Sequence, residues 1–345
     1  MINVHSFKMD FDWQLIKSIS QIDRFDASWA SIEKKEGQNL KQLKSIATVR
    51  SVGASTRIEG SKMSDLEVDT LLNDLSIEKL TNRDKQEVAG YFEVLDLISE
   101  QYHDIRITEN EIKNLHNTLL KYSEKDQWHK GDYKQHSNNV EATLPDGTRQ
   151  IVFKTTPPGY ETEDAMRALI KWYQKDDQTH SLVKSALFSY EFVSIHPFQD
   201  GNGRLSRLLA SLLLLKNGYK WIQYVSFEHE IENRKPEYYR ELRKCQAQRP
   251  MENVTAWLYF FFDALQNIQN QLLTKLEQTG IATTLSPREK SILTFISDHP
   301  GCKSGAIAEN LNIPNPTVKR LLKTLSEKNL IEKQGKGPGT NYSIL

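Results

Sequence analysis

Apolar residues return every three or four positions along most of this 345-residue chain, which is the spacing of one face of an α-helix. Clear examples are 46–53, 88–98 and 257–265. Extended, β-branched runs are confined to 140–156, where Pro145-Asp146-Gly147 forms a turn signature, and to the C-terminal tail. The pattern therefore predicts a mainly α fold with an inserted β-hairpin.

The helical stripe fades over 270–285, and Ser286 followed by Pro287 is typical of a new helix start. We therefore predict a domain boundary near residue 280. The predicted domains are an N-terminal helical region over 1–110, a second helical region over 111–275 and a small module over 286–345.

Composition excludes several classes of protein. The 45 basic and 45 acidic residues balance, so the chain is not a globally basic nucleic-acid coat, and 38% hydrophobic residues are too many for a disordered chain. Cys245 and Cys302 are too few for a disulfide framework. The N-terminus lacks the pattern of a signal peptide, and no apolar run is long enough to span a bilayer, so we expect a cytoplasmic protein.

Two segments that are apolar on nearly all faces, 182–195 and 204–215, flank the polar sequence HPFQDGNGRLSR at 196–207. Helices of this kind belong in the middle of a domain. The polar loop is therefore expected at the end of a buried helix pair.

The second half of this loop has the features of a phosphate site. Gly201 and Gly203 leave the backbone amides at the start of a helix open to an anion, and the helix dipole favours negative charge there. Arg204 and Arg207 are three positions apart, so both guanidinium groups can reach one phosphate chain.

Two further residues add reactive chemistry. Asp200 is a hard-oxygen ligand for Mg²⁺, which usually arrives with phosphates, and His196 can take a proton near neutral pH. A buried histidine or a Gly-Asn-Gly turn alone is ordinary. Their convergence with two arginines on one short loop predicts a nucleotide site.

The loop resembles the Fic-family pattern HPF-x-[DE]-GNG-R-x-x-R at all nine specified positions, and the resemblance covers roughly residues 40–270. Fic proteins are helical enzymes that mostly move AMP from ATP to a hydroxyl of a target protein. The resemblance implies a Fic core over 111–275, with ATP and Mg²⁺ as cofactors and a target protein, or the chain itself, as acceptor.

Carried over to this sequence, the resemblance makes His196 the base that deprotonates the target hydroxyl and Asp200 the Mg²⁺ ligand. The implied anion-hole and phosphate-binding residues are Gly201, Asn202, Gly203, Arg204 and Arg207. The Doc branch, which transfers a phosphate, has Lys in place of Gly203. The glycine here therefore favours nucleotidyl transfer.

The hairpin within 140–156 lies where Fic proteins carry a flap that pairs with the target backbone. The implied docking residues are Ile151, Val152, Phe153 and Lys154. A plain surface hairpin is the alternative. Tyr239 resembles a family tyrosine near the adenine, although it could equally be a core residue.

A second, shorter motif lies in the region 45–60. Ser55 and Glu59, followed by Gly60, share a helical face and resemble the family's inhibitory motif [ST]-x-x-x-E-[GN]. In such relatives the glutamate pairs with the second arginine of the loop, here Arg207, and ATP then binds unproductively. In some relatives the same glutamate positions a water that removes AMP.

Residues 286–345 resemble a winged helix-turn-helix. Helices are predicted over 287–298, 303–310 and 317–328, followed by a hairpin around the glycine-rich loop 335–339. The module has more basic than acidic residues, and the expected DNA contacts are Lys319, Arg320, Lys323 and Lys336. Protein contacts or dimerisation are the alternative role.

The first functional hypothesis is an autoinhibited protein adenylyltransferase that acts on Ser, Thr or Tyr hydroxyls. The second is a DNA-binding regulator that senses a nucleotide without turning it over. The presence of His196 and Asp200 favours the enzyme, because a sensor needs no base. A de-AMPylase, or another nucleotidyl or phosphocholine transferase, would use the same loop. The expected partners are ATP, a target protein and possible contacts with DNA or a second copy.

Overall fold

A computed structural model describes residues 7–76, 80–143, 148–283, 286–327, 330–335 and 337–344. The chain folds into two compact units, 1–272 and 273–345. The first unit ends at residue 272, three residues before the end of the predicted region 111–275. The described part of the chain is mainly α-helical, with two short antiparallel hairpins.

The helices that begin in the first unit are α1 (Trp13–Lys35), α2 (Gly37–Ile58), α3 (Asp65–Asn73), α4 (Arg83–Gln101), α5 (Glu109–Leu119), α6 (Tyr160–Lys175), α7 (Ser181–Ile195), α8 (Asn202–Lys216), α9 (Phe227–Asn233), α10 (Lys235–Gln246) and α11 (Thr255–Thr283). A 3₁₀ turn covers Lys220–Tyr224. Side chains cap many of the helix starts: the Asp12, Asn82 and Thr108 side chains each accept a backbone N–H of the following first turn.

α7 and α8 form the centre of this unit. Every residue of α7 from Leu182 to Ile195 is buried except Lys184, and α8 is buried from Arg204 to Leu215. Both helices were predicted from their all-round apolar character, which suits helices that are covered on all sides. Their junction, the loop after Ile195, is consequently held at the edge of the core.

α2 differs in detail from its predicted stripe. Ile46 is exposed and Val49 is half-buried, whereas Val52 and Gly53 of the predicted stripe are buried, as are Leu43, Ala47, Ser51 and Ala54. Small side chains at these positions allow neighbouring helices to approach closely, so packing rather than hydrophobicity alone selects the buried face. The helix ends at Ile58.

The hairpin predicted within 140–156 is present as β1 (Val140–Thr143) and β2 (Arg149–Phe153). The strands are antiparallel, with Val140 opposite Phe153 and a register irregularity next to Val140. The predicted turn at 145–147 lies outside the described residues.

α11 shows that the helix does not stop where its stripe fades. The backbone stays helical to Thr283, although the apolar stripe fades over 270–285. This part contains strong helix formers and no proline before Pro287, so helical propensity persists after the amphipathic pattern ends. The predicted boundary near 280 remains a prediction.

The second unit contains α12 (Pro287–Asp298), α13 (Ser304–Asn310), α14 (Asn315–Glu327), β3 (Ile331–Gln334) and β4 (Asn341–Ile344). Ser286 and Glu289 form a capping box at the start of α12. Ile292, Ile307, Val318 and Leu325 are among the fully buried residues of its own hydrophobic core. Three helices followed by a hairpin form the predicted winged-helix arrangement.

None of the helices in the described ranges has the length and hydropathy needed to cross a membrane.

The packing of α4 on α5 depends on a glycine. A Cβ added at Gly90 would collide with the backbone carbonyl oxygen of Leu119. Since that atom belongs to the main chain, the collision can be relieved only by separating the helices.

We expect Gly90→Ala to lower the free energy of unfolding by about 1–3 kcal/mol, because overpacking outweighs the higher helical propensity of alanine. Thermal unfolding followed by circular dichroism measures this change as a lower Tm. Gly37→Ala is the matched control, since a Cβ at Gly37 meets no atom within 4 Å. Equal Tm values for the two variants would contradict the proposed close approach.

Candidate active site

The loop between α7 and α8 opens into a cavity of about 390 Å³. Its walls come from the loop itself, the end of α2, the hairpin and α10. The predicted site residues that line it are His196, Asp200, Gly201, Asn202, Gly203, Arg204, Arg207, Tyr239, Glu59 and Phe153. Residues that are far apart in the sequence thus meet around one space, which is large enough for a ligand of nucleotide size.

His196 adopts a left-handed backbone conformation, with φ 55°, which ends α7 and turns the chain into the loop. Its Nδ1 lies 3.1 Å from the carbonyl oxygen of Val193. A carbonyl can only accept, so Nδ1 carries the proton and Nε2 keeps a free lone pair. Burial lowers the pKa of the imidazole to about 4, which favours this neutral form. His196 is therefore poised as a base.

Asp200 is the acidic group of the loop. Its Oδ1 accepts from the Gly201 amide at 2.6 Å and from Arg204 Nη2 at 3.1 Å, and its Oδ2 accepts from Lys125 Nζ at 2.9 Å. Burial alone would raise the pKa of this carboxyl, but Arg204 and Lys125 outweigh it and hold the pKa well below its usual range. Asp200 is thus an anion at any physiological pH.

Asp200 alone can supply only part of the ligand set that a Mg²⁺ ion needs. Its carboxylate borders the cavity and its side chain is 34% exposed. The described residues include no group of three or more His, Cys, Asp or Glu that could hold a metal ion. One hard carboxylate suits a Mg²⁺ that takes its other ligands from phosphates and water, and does not suit a permanent metal centre.

The two arginines occupy different surroundings. Arg204 is buried beneath the loop, where Nη1 lies 3.3 Å from Glu87 Oε2. Glu87 is buried too and bonds to Arg83 on the same helix. Arg204 is therefore fixed by two carboxylates, Asp200 and Glu87. The sequence identified the arginine but could not reveal Glu87, which lies more than a hundred residues earlier.

Arg207 is held by the end of α2. Its Nε donates to Ser55 Oγ at 2.9 Å, and its Nη2 donates to the Ser55 carbonyl at 3.0 Å and to Glu59 Oε1 at 2.8 Å. The predicted Glu59–Arg207 ion pair is therefore present in the structure. Burial would raise the pKa of Glu59, but Arg207 and then Arg204 outweigh it, so the pKa is lowered and the carboxyl stays ionised.

The Glu59 carboxylate lies directly over the first turn of α8. A Cβ added at Gly203 would collide with Glu59 Oε1. The N-terminal amides of α8 are the place where an anion would bind, and here a carboxylate approaches them. Gly203 makes this close approach possible.

A set of ion pairs anchors the end of α2 that carries Glu59. Arg57 forms a two-pronged ion pair with Glu232 of α9, at 2.6 and 3.0 Å, and also contacts Asp65 at 2.9 Å. Lys235 at the start of α10 donates to the Ile58 carbonyl at 2.7 Å. These contacts fasten the last turn of α2 to α9 and α10, which sequence reasoning did not anticipate.

Asn202 is used differently from its expected role in anion binding. Its side chain accepts from the Phe198 amide at 2.9 Å and donates to the Phe198 carbonyl at 2.7 Å. The side chain therefore closes the loop from inside, and only the backbone of Asn202 remains for a ligand.

His116 supports the loop from below. It accepts from the Gly131 amide through Nδ1 and donates to the Asp200 carbonyl through Nε2. Its ring stacks on Phe198 with centroids 3.7 Å apart. Burial lowers the pKa of His116 to about 4, so it stays neutral. A single histidine on α5 gives no sequence signal for this role.

α10 forms the wall opposite the loop. Tyr239 lines the cavity together with Tyr238, and Arg243 lies over the Tyr239 ring at 5.5 Å. This wall of aromatic rings is suitable for a flat, apolar ligand surface such as a base.

The hairpin residues divide into two sets. Ile151 is 46% exposed and Lys154 is exposed, whereas Phe153 is buried and lines the cavity. Phe153 thus differs from a surface docking residue, because at the base of the hairpin it packs against the domain. Val152 is intermediate. In the described part of the sheet β2 pairs only with β1, so its other edge carries no strand.

In the second unit, Lys319, Arg320 and Lys323 are exposed on α14, while Val318, Leu321 and Leu322 of the same helix are buried. The three cations therefore lie on one open helix face. Lys336 falls outside the described residues.

Comparison with protein families gives two matches. Residues 106–214 match the Fic/DOC family, and residues 285–336 match the MarR family. The first match contains the whole loop, all of α7 and α8 as far as residue 214. The second covers α12 to α14 and β3.

Curated relatives of this chain are named as protein adenylyltransferases. The Drosophila melanogaster "Protein adenylyltransferase Fic" is 25% identical over 207 residues, which are 59% of this chain and 39% of the fly protein. A "Probable protein adenylyltransferase" of Aquifex aeolicus is 37% identical over 62 residues, 18% of this chain and 19% of that protein. This chain thus spans about two fifths of the length of the fly relatives.

Solved structures agree at the level of the fold. A Fic family protein from Desulfovibrio desulfuricans G20 superposes with a TM-score of 0.63 over 97% of both chains, at 22% identity. A Fic domain containing signaling protein from Bacteroides thetaiotaomicron gives a TM-score of 0.60 over 74% of this chain and 97% of its own, also at 22% identity.

This chain therefore combines a Fic domain with a C-terminal winged helix, and its resemblance to Fic adenylyltransferases is confirmed at the level of the domain. The predicted fold class, a helical Fic domain with an inserted hairpin and a small winged helix, is also confirmed.

Proposed function

We propose that the protein transfers AMP from ATP to a Ser, Thr or Tyr hydroxyl of a target protein or of itself. The observation that carries this proposal is the neutral imidazole of His196, whose free Nε2 borders the same cavity as the N-terminus of α8 and Arg207. A proton acceptor next to an anion-binding helix end is the arrangement that attack by a hydroxyl on a phosphate requires. The names of the relatives support the same activity.

In this reaction Nε2 of His196 takes the proton as the hydroxyl oxygen forms its bond to the α-phosphorus. The bond between the α-phosphorus and the oxygen bridging to the β-phosphate breaks, and pyrophosphate leaves. The amides of Asn202 and Gly203 face the charge on the α-phosphate, since the Gly201 amide is taken by Asp200, and Arg207 holds the leaving phosphates once Glu59 has moved. A Mg²⁺ bound through Asp200 would supply neutralisation of the phosphate charge.

In the resting state Glu59 opposes this reaction in two ways. It neutralises Arg207, and it places a carboxylate over Gly203 where a phosphate would otherwise approach. A triphosphate would meet like charge at this point and lose its cationic partner, so ATP would be held in an unproductive position. We therefore assign Glu59 and Ser55 the role of a brake.

The ion pairs of Arg57 are the second part of the brake. They fix the turn just before Glu59 to α9, and Lys235 fixes it to α10, the helix that also supplies Tyr238 and Tyr239 to the cavity wall. Loosening them would raise the mobility of Glu59 without changing the phosphate site.

A second function, DNA binding, is supported by the MarR match and by the exposed cations of α14. The third helix of a winged helix commonly enters the major groove, and phosphate contacts by Lys and Arg supply most of the affinity. Cytoplasmic localisation and dimer formation remain expectations from the sequence.

We expect Glu59→Gly to raise self-labelling from α-³²P-ATP by about tenfold or more, a barrier change of at least ~1.4 kcal/mol. His196→Ala should abolish labelling in both backgrounds, and γ-³²P-ATP should give none. Autoradiography of the purified chain with Mg²⁺ measures the label. Label from γ-³²P-ATP would indicate phosphate transfer, and equal labelling of wild type and Glu59→Gly would refute the brake.

We expect Arg57→Met to increase AMP transfer to a smaller extent than Glu59→Gly does, because it frees the turn but keeps the carboxylate. In the Glu59→Gly background it should have no further effect, since the brake is already absent. Arg240→Met, which removes an exposed arginine of α10, is the matched control. An Arg57→Met effect that persists without Glu59 would mean a general structural role.

We expect the combined variant Lys319→Gln, Arg320→Gln and Lys323→Gln to weaken binding to a mixed-sequence DNA duplex and to reduce the salt slope by about one per lost phosphate contact. Fluorescence anisotropy across a salt series measures both quantities. Changing the exposed Lys17, Lys41 and Lys171 to Gln gives a control with the same net charge. Equal affinities for the two triple variants would argue against α14 as the DNA contact.

A further inference from the structure

Lys134 is a buried lysine that neither the loop motif nor the mechanism above employs. It is 2% exposed, and no carboxylate among the described residues forms an ion pair with its ammonium. A buried charge without a counter-ion is costly, so its retention calls for an explanation. The hydrogen-bond partners of the Lys134 ammonium supply that explanation.

All three protons of the Lys134 ammonium are used. Nζ donates to Asn138 Oδ1 at 2.8 Å, to Thr155 Oγ1 at 3.0 Å and to the carbonyl of Ile195 at 3.2 Å. Three acceptors match the three donors of the protonated form, whereas a neutral amine would leave one acceptor unpaired. The site is therefore built for a cation, although burial lowers the pKa of Lys134 to about 7.

Lys134 and Asn138 together hold four consecutive carbonyls around His196. The Lys134 ammonium donates a hydrogen bond to the carbonyl of Ile195. The Lys134 backbone amide donates to the carbonyl of Pro197, at 2.8 Å. The Asn138 side-chain amide donates hydrogen bonds to the carbonyls of His196 and Phe198, at 3.1 and 2.6 Å. These bonds span the left-handed turn at His196, a conformation that a residue with a side chain adopts only at a cost.

The same pair reaches the base of the hairpin. Thr155, two residues after β2, accepts from Lys134 and donates to Asn138 Oδ1 at 2.8 Å, and its amide donates to Asn139 at 3.1 Å. The ammonium thus connects the loop that carries the base to the element beside which a target would dock.

We propose that Lys134 is a positioning residue: its ammonium locks the turn at His196 to the base of the hairpin and presents positive charge to the imidazole. This inference rests on the proposed function, because it takes His196 as the base. Lys134 itself touches no reacting atom, and its effect on the reaction passes through His196.

The charged groups that share the cavity with His196 are Glu59 from the end of α2, Asp200 from the loop, Arg204 and Arg207 from α8 and Arg243 from α10, while Lys134 lies behind the turn. Burial is the largest cause of the lowered pKa of His196, and the charge of Lys134 lowers it further, while Glu59 and Asp200 raise it. Lys134 remains charged below about pH 7, which includes the range in which His196 titrates. Removing its charge should therefore raise the pKa of the imidazole.

The test compares Lys134→Met with wild type in the full chain, using ¹³C-labelled histidine and an NMR pH titration. The His196 signal is assigned by its absence from His196→Gln. We expect Lys134→Met to move the His196 titration upward by about one pH unit, since a nearby like charge has been removed. Lys130→Met, a surface change four residues earlier, should leave it unmoved. An unshifted titration in folded Lys134→Met would overturn the proposal.

A second measurement tests the positioning itself. In the Glu59→Gly background at neutral pH, Lys134→Met should lower kcat for AMP transfer about tenfold or more, with KM for ATP nearly unchanged. Lys134→Arg keeps the charge and should leave the His196 titration at its wild-type position. An unchanged kcat in Lys134→Met would overturn the positioning role.

If Lys134→Met does not fold, Thr155→Val replaces it in the kinetic test. This change removes one acceptor of the ammonium and the link to the hairpin, so kcat should fall, and an unchanged kcat would overturn the proposal. A chain in which Glu59→Gly alone transfers no AMP refutes the proposed function instead. The NMR titration needs no activity, so the two failures are distinguishable.

Discussion

The structure depends on how the chain satisfies its backbone where two fully apolar helices meet. α7 ends and α8 begins within the core, so the carbonyls and amides between them cannot all turn to water. Side chains of Lys134, Asn138 and Asn202 take over that task. Only after these groups are paired can the loop present its remaining amides and its imidazole to a cavity.

Arg207 links the chemistry of the loop to the end of α2. A guanidinium that is deeply buried has few available positions, so its partner determines the state of the whole site. Here the Arg207 guanidinium donates hydrogen bonds to Ser55 and Glu59. Both acceptors lie at the end of α2, which ion pairs and hydrogen bonds hold to α9 and α10. Under the proposed function, control of the site therefore lies in a different element from the loop that would perform the chemistry.

A feature of this protein could be predicted from the sequence when the residues that form it lie close together in the chain. The loop 196–207 could be predicted because its base, its carboxylate, its glycines and its arginines are contiguous, and α7 and α8 because they are apolar all round. The sequence could not predict the supporting roles of Lys134, Asn138, His116 and Glu87. Each is an ordinary polar residue whose role appears only when distant segments of the chain meet. Ile46 was expected on the stripe of α2 but is exposed, because small side chains pack on the buried side of that helix.

The absence of a side chain at Gly203 has an evolutionary consequence. The same empty space receives the Glu59 carboxylate in one state and a phosphate in the proposed other, so any larger residue there would disturb both. Under the proposed function, a substitution at this position would weaken the restraint by Glu59 and the transfer of AMP together. Under the same proposal, a variant that keeps its turnover and loses the restraint would have to change α2 or the ion pairs that anchor it.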